Sequence, residues 1–203
     1  KRAGAVIEKI SIPSVKYAVA TYYLIAPAEA SSNLSRFDGI RFGPRHEAAD
    51  YDGLVSRNRD LGFGREVKRR ILLGTFTLSA TYYDAYYRKA LRTRRLMANE
   101  LKAVLTEFDF ILNPSSPVVA PVIGEISDPL SYYLMDIYTI PANVAGLPSI
   151  SVPIAPVDGL PAGMLLTGGR FSDVKLLEAA SFIEGFSPAY EGGLTRISER
   201  WVE

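Results

Sequence analysis

Apolar residues recur along this chain with two periods, and the changes of period divide it into elements. Between Gly64 and Ala90, the residues Val67, Ile71, Leu78, Tyr82, Tyr86 and Ala90 recur at helical spacing, which predicts a long helical region with Gly74 as a candidate break. Met97, Leu101, Val104, Leu105 and Phe108 then fall at i, i+4, i+7, i+8 and i+11, one apolar stripe of a helix facing a core. The period then shortens. Phe108 to Asn113 reads as a short buried strand ended by Pro114, with a Pro-rich loop to Pro129. Strands resume near Ser149 to Ile154 and Gly163 to Thr167, and Ser172 or Asp173 caps an amphipathic helix through about Ile183. Nearer the start, Ala5 to Pro13 is β-branched and roughly alternating, which predicts a strand. Ser14 is a candidate N-cap for the Ala-, Leu- and Tyr-rich helix that follows, which Pro27 kinks or ends. Ser31 to Pro44 carries turn residues, and the chain stays polar and poorly periodic to Asp60, so this stretch is expected to be loop and mobile. Strands alternating with helices predict an α/β domain, a mixed β-sheet covered by helices. There is no internal repeat.

Composition narrows the classes. A chain of 203 residues with 48% apolar content fits one domain with an ample core. Lys plus Arg number 23 against 22 for Asp plus Glu, so a net charge of +1 points to no general affinity for nucleic acid. There is no cysteine and one histidine, His46, which excludes a thiolate zinc site, a cysteine nucleophile and a His-based metal cluster. The longest apolar run, Tyr17 to Ala28, is too short to span a membrane, and no signal peptide opens the chain, so the expected compartment is the cytoplasm. One carboxylate stands out: Asp136 lies among apolar and aromatic residues just before a small-residue helix, where burial without a partner would be costly.

Four stretches carry a resemblance: Tyr22 to Gly39, Gly62 to Ile71, Tyr82 to Tyr87, and Asp136 to Pro153. In order and spacing, from about Gly4 to about Phe186, they resemble the C-terminal part of the amidase-signature family, and within it the glutaminase subunits of tRNA-dependent amidotransferases. The tail Glu191 to Glu203 is unmatched. The resemblance implies the C-terminal portion of the amidase-signature fold, belonging to an enzyme that converts misacylated Glu-tRNA or Asp-tRNA to the amide with glutamine and ATP. It implies two partner subunits, tRNA contacted indirectly through the complex, no cofactor in this chain, and ATP with Mg held by a partner. That family uses a serine nucleophile, a second serine and a lysine, held in a Gly-Ser-rich run that is absent here. Ser31-Ser32 and Ser115-Ser116 lack such a setting, so no catalytic residue is assigned and the chain alone is expected to be inactive.

What the resemblance does assign is a clamp for free glutamine: Arg70 for the α-carboxylate, Asp136 for the α-ammonium and Tyr22 lining the pocket. The chemistry suits them, because guanidinium donates two parallel hydrogen bonds and a carboxylate is a short, acceptor-only partner. Each residue also has a plainer reading. Arg70 can pair with Glu66 one turn earlier, Asp136 can cap the following helix or pair with a lysine, and Tyr22 can be a packed ring with its hydroxyl satisfied. Arg88, Arg92 and Arg95 share a helix face, with Lys89 and Arg94 nearby, that is either solvated or set against tRNA phosphates. Asn33, Arg36, Asp38 and Arg41 form a polar loop that meets a partner subunit, borders the ammonia passage the resemblance implies, or is plain surface. Leu165 and Thr167 depart from the family pattern, as does Thr81, which implies different packing there. Two other readings stand beside this one: a different amidase-signature hydrolase, or a non-catalytic module that pairs with another subunit.

Overall fold

The structure, a computed structural model, describes residues 4–126 and 128–186; the unmatched tail lies outside them. Contacts divide the chain into a split unit, Lys1–Val19 with Arg94–Glu203, and an inserted unit, Ala20–Thr93.

The split unit holds the sheet. β1 (Phe110–Pro114), β2 (Ser149–Val157) and β3 (Leu160–Gly168) pair antiparallel in the order β1-β3-β2. Between β1 and β2 the chain makes two short helices, α6 (Pro129–Leu134) and α7 (Ile140–Ala145). Asp158 and Gly159 join β2 to β3 with both φ angles positive, at 51° and 76°, the two-residue turn whose twist matches a hairpin. Pairing Ile150 with Leu166 and Val152 with Met164 puts alternate apolar residues on one face. There α8 (Asp173–Glu184) covers them, so that Val152, Leu166, Leu176 and Ala180 form a buried cluster flanked by Phe110, Ile150, Met164 and Ile183. Only Ile111 of β1 is buried, so this strand is half exposed rather than buried as its sequence predicts. Ser172 does precede α8, but its hydroxyl donates to the Gly169 carbonyl instead of capping the helix.

Two expectations for the start of this unit fail. Residues 5–12 form no strand and find no ladder partner among the described residues, and most are exposed. Alternation alone cannot make a strand without an edge to join. Ser14 lies inside a 3₁₀ turn, Pro13–Tyr17, where its amide and hydroxyl both donate to Glu100 Oε2, at 3.0 and 2.7 Å. That glutamate belongs to α5 (Arg88–Glu107), where Met97 and Leu101 of the predicted stripe are buried, as is Ala90.

The inserted unit is helical. α1 (Ala18–Leu34) enters it and runs through Pro27 without ending, and α2 (Tyr51–Gly62), α3 (Arg65–Leu78) and the three-residue α4 (Ala80–Tyr82) follow. α2 occupies part of the stretch expected to be loop. Asp50 caps it by accepting from the Gly53 amide, and polar contacts rather than an apolar stripe hold the helix in place. Buried Asn58 accepts from the His46 amide and donates to the His46 carbonyl, both at 2.7 Å, as a strand neighbour would. Arg59 donates to the Leu34 and Phe37 carbonyls, closing the exposed end of α1. The predicted break at Gly74 is absent; α3 ends at Ser79, and a π turn, Tyr83–Tyr87, leads into α5.

Gly74 has another task. A Cβ there would lie 2.0 Å from the Pro27 carbonyl oxygen and 2.6 Å from the Ser31 Cβ, so the missing side chain lets α3 press against α1. Ser31 Oγ and Thr75 Oγ1 meet at 3.0 Å beside this contact. One turn toward the N-terminus of both helices, Tyr22 and Tyr23 face Arg70.

Candidate functional site

The close crossing of α1 on α3 sets the register that brings Tyr22 and Arg70 together within the inserted unit. Glu66 lies four residues before Arg70 on α3, and its Oε1 accepts from Arg70 Nε at 3.1 Å. The other carboxylate oxygen of Glu66 lies 3.3 Å from Arg69 Nη1. The Tyr22 phenol is near enough to the Arg70 guanidinium to help raise its pKa, and the Tyr23 ring lies 5.8 Å from it. Burial alone would lower the Arg70 pKa, but the hydrogen bond to Glu66 and the nearby Tyr22 phenol outweigh it and hold the value above the ordinary one. The guanidinium is therefore half-buried, charged at any working pH, and oriented. Tyr23 is the neighbour that sequence reasoning missed; the doubled tyrosine was its available signal.

Asp136 lies in the split unit. Its carbonyl starts α7, accepting from the Thr139 and Ile140 amides at 3.1 and 3.0 Å and from the Thr139 hydroxyl. Gly146, with φ 70°, ends that helix, and Arg94 Nε donates to the Val144 carbonyl at 2.9 Å. The Asp136 residue is exposed and has no ion-pair partner among the described residues. The expected cost of burial is therefore not what marks it, because apolar neighbours in sequence, once wound into a run of turns, are not apolar surroundings in space. Nor does its carboxylate cap α7, since the backbone does that work.

The tempting serines are accounted for. Ser31 and Ser32 lie within the last turns of α1. Ser115 Oγ meets Ser151 Oγ at 2.6 Å, and the Ser116 hydroxyl accepts from the Val118 amide. None of these hydroxyls has a hydrogen-bonded lysine, histidine or carboxylate among the described residues, so none is activated. Among the same residues no group of His, Asp and Glu converges as a metal site requires. An open hollow of about 550 Å³ runs along α3, lined by Arg65, Lys68, Arg69, Leu72, Leu73 and Phe76. It includes neither Arg70 nor Tyr22, and Lys68 in its wall is paired with Asp60. On α5, Arg88 pairs with Asp84 and Arg94 with the backbone of α7, while Arg92 and Arg95 are exposed.

An α/β chain with these motifs falls in a defined class: it belongs to the Amidase family, whose sequence profile matches residues 1–177. Its relatives are more particular. It is 54% identical over 98% of its length to the glutamyl-tRNA(Gln) amidotransferase A-subunit of Thermotoga maritima, and 53% identical over 93% to that of Pseudothermotoga lettingae. The chain spans about two fifths of these relatives, 42% and 40% of their lengths. The crystal structure of the Thermotoga maritima protein superimposes with a TM-score of 0.69, at 52% identity over 95% of this chain and 37% of that one. A crystal structure of an amidase at 22% identity, TM-score 0.68, covering 91% of this chain and 38% of that one, shares the fold.

Proposed function

We propose that this chain is the glutamine-holding part of the glutaminase subunit of a tRNA-dependent amidotransferase. The observation that carries the reading is the 54% identity to a glutamyl-tRNA(Gln) amidotransferase A-subunit over nearly the whole chain. The oriented Arg70 guanidinium beside Tyr22 is supporting chemistry, since a planar fork held against a phenol suits the α-carboxylate of a free amino acid. Asp136 is assigned the α-ammonium; its carboxylate is exposed and unpaired among the described residues, as an acceptor awaiting a cation would be.

In this reading the substrate amide is attacked by a serine that this sequence does not contain in an activated setting. Ammonia released from the acyl-enzyme passes to a partner subunit, which would hold ATP with Mg and supply the activation of the tRNA-bound glutamate or aspartate. The complex has two other subunits and works in the cytoplasm.

The test is isothermal titration of the full-length protein with glutamine and with an acylamide that lacks the amino acid head. Glutamine binds more tightly, and Arg70→Ala weakens it by about 2–3 kcal/mol, roughly 30- to 150-fold, the worth of charge-assisted hydrogen bonds. Tighter binding of the plain acylamide would instead favour a hydrolase of neutral amides.

A further inference from the structure

We propose that Glu66 is a positioning residue for amino acid recognition: it holds the Arg70 guanidinium by its Nε edge so that the outer edge faces a ligand carboxylate. This rests on the reading of Arg70 as the carboxylate clamp. An arginine side chain is long and rotatable, and a surface arginine left alone spends most of its time misaligned for a planar, two-bond contact. Glu66 removes much of that freedom through the 3.1 Å bond from Nε to Oε1. Nε is the donor that a ligand approaching the two terminal nitrogens does not need. Among the described residues, the side-chain hydrogen bond found for Arg70 is the one from Nε to Glu66, with the Tyr22 phenol nearby. The terminal N–H groups that Tyr22 does not engage therefore remain for a ligand.

A carboxylate so near a clamp for carboxylates invites the opposite view, that Glu66 competes with the substrate. The geometry argues against it. The same carboxylate is shared with Arg69 at 3.3 Å, so the three side chains keep a net positive charge. Glu66 also stands in the first turn of α3, where an acid is favoured by the helix dipole, so its own orientation does not depend on Arg70. Tyr23 beneath the guanidinium, at 5.8 Å, limits tilt in the remaining direction.

The experiment is glutaminase kinetics of the full-length enzyme in its complex, with glutamine and with glutaminamide, in which a neutral amide replaces the α-carboxylate. Glu66→Ala raises the glutamine KM by about 5- to 20-fold, the loss expected of one oriented ionic hydrogen bond, with kcat within about twofold. The glutaminamide KM stays unchanged, and Glu66→Gln, which keeps an acceptor for Nε, recovers most of the loss. A lower glutamine KM in Glu66→Ala would establish competition and overturn the proposal. So would an equal rise for both substrates, which marks a structural effect on α3. If Arg70→Ala raises the glutamine KM while Glu66→Ala leaves it unchanged, Glu66 has no positioning role and the clamp stands. If Arg70→Ala itself leaves the glutamine KM unchanged, the clamp reading falls, and with it this one.

Discussion

Asn58 does for the loop before α2 what a neighbouring strand would do, offering one acceptor and one donor to the backbone of His46 and a further donor to Leu54. An amide is the side chain with both functions at the right separation, so no isosteric substitute keeps all three bonds. Asn58→Ala should lower stability by about 2–3 kcal/mol, because His46 is only partly buried and water recovers some of the loss. Urea unfolding of the full-length protein checks this, and a change below about 0.5 kcal/mol would show that the bonds are not made in solution. None of it is legible in the sequence, since a polar, aperiodic stretch reads as loop whether or not a buried asparagine organises it. The Glu66–Arg70 contact is legible from i, i+4 spacing alone. The nearness of Tyr22 to Arg70 is not, because nothing in spacing joins residues on different helices; resemblance supplied both names. Asp136 shows the reverse error, where local composition suggests a burial that the fold does not make.

Among elements, the crossing of α1 on α3 governs the most. Two of its contact residues are those that sequence reading treats as breakers, Pro27 and Gly74, yet both helices continue past them. Each is a packing solution: proline closes a buried surface without a long side chain, and glycine lets the opposing backbone approach. Gly74→Ala sets a methyl group 2.0 Å from a carbonyl oxygen that belongs to backbone and cannot swing away. The expected cost is at least about 3 kcal/mol, at the upper end for overpacking, read as a lowered urea midpoint. Glutamine affinity should fall in the same variant, because the register of Tyr22 on Arg70 depends on this contact; unchanged stability would refute the crossing. The Asp158-Gly159 turn and the Asp50 cap are available signals for the β2–β3 hairpin and for α2. The order β1-β3-β2 is beyond reach, since short apolar runs do not say which neighbour they choose.

At the scale of the whole chain, large apolar side chains remain at the surface of each unit, among them Leu72 on α3 and Ile123, which is 92% exposed. The relatives are more than twice as long, so the parts that this chain does not match are available there to cover such surface. Expressed alone, the 203-residue chain should self-associate in sedimentation velocity and release no ammonia from glutamine. Ammonia above the buffer blank would mean that an activated nucleophile lies within this sequence. Should the longer protein bind glutamine as proposed, Tyr22 and Tyr23 would provide a built-in readout. Their rings meet edge-on, 5.1 Å between centroids at 88°, so each sits in the magnetic anisotropy of the other. A carboxylate arriving at Arg70 would disturb that mutual shielding, and occupancy could be followed through tyrosine resonances, without dye, tag or added tryptophan.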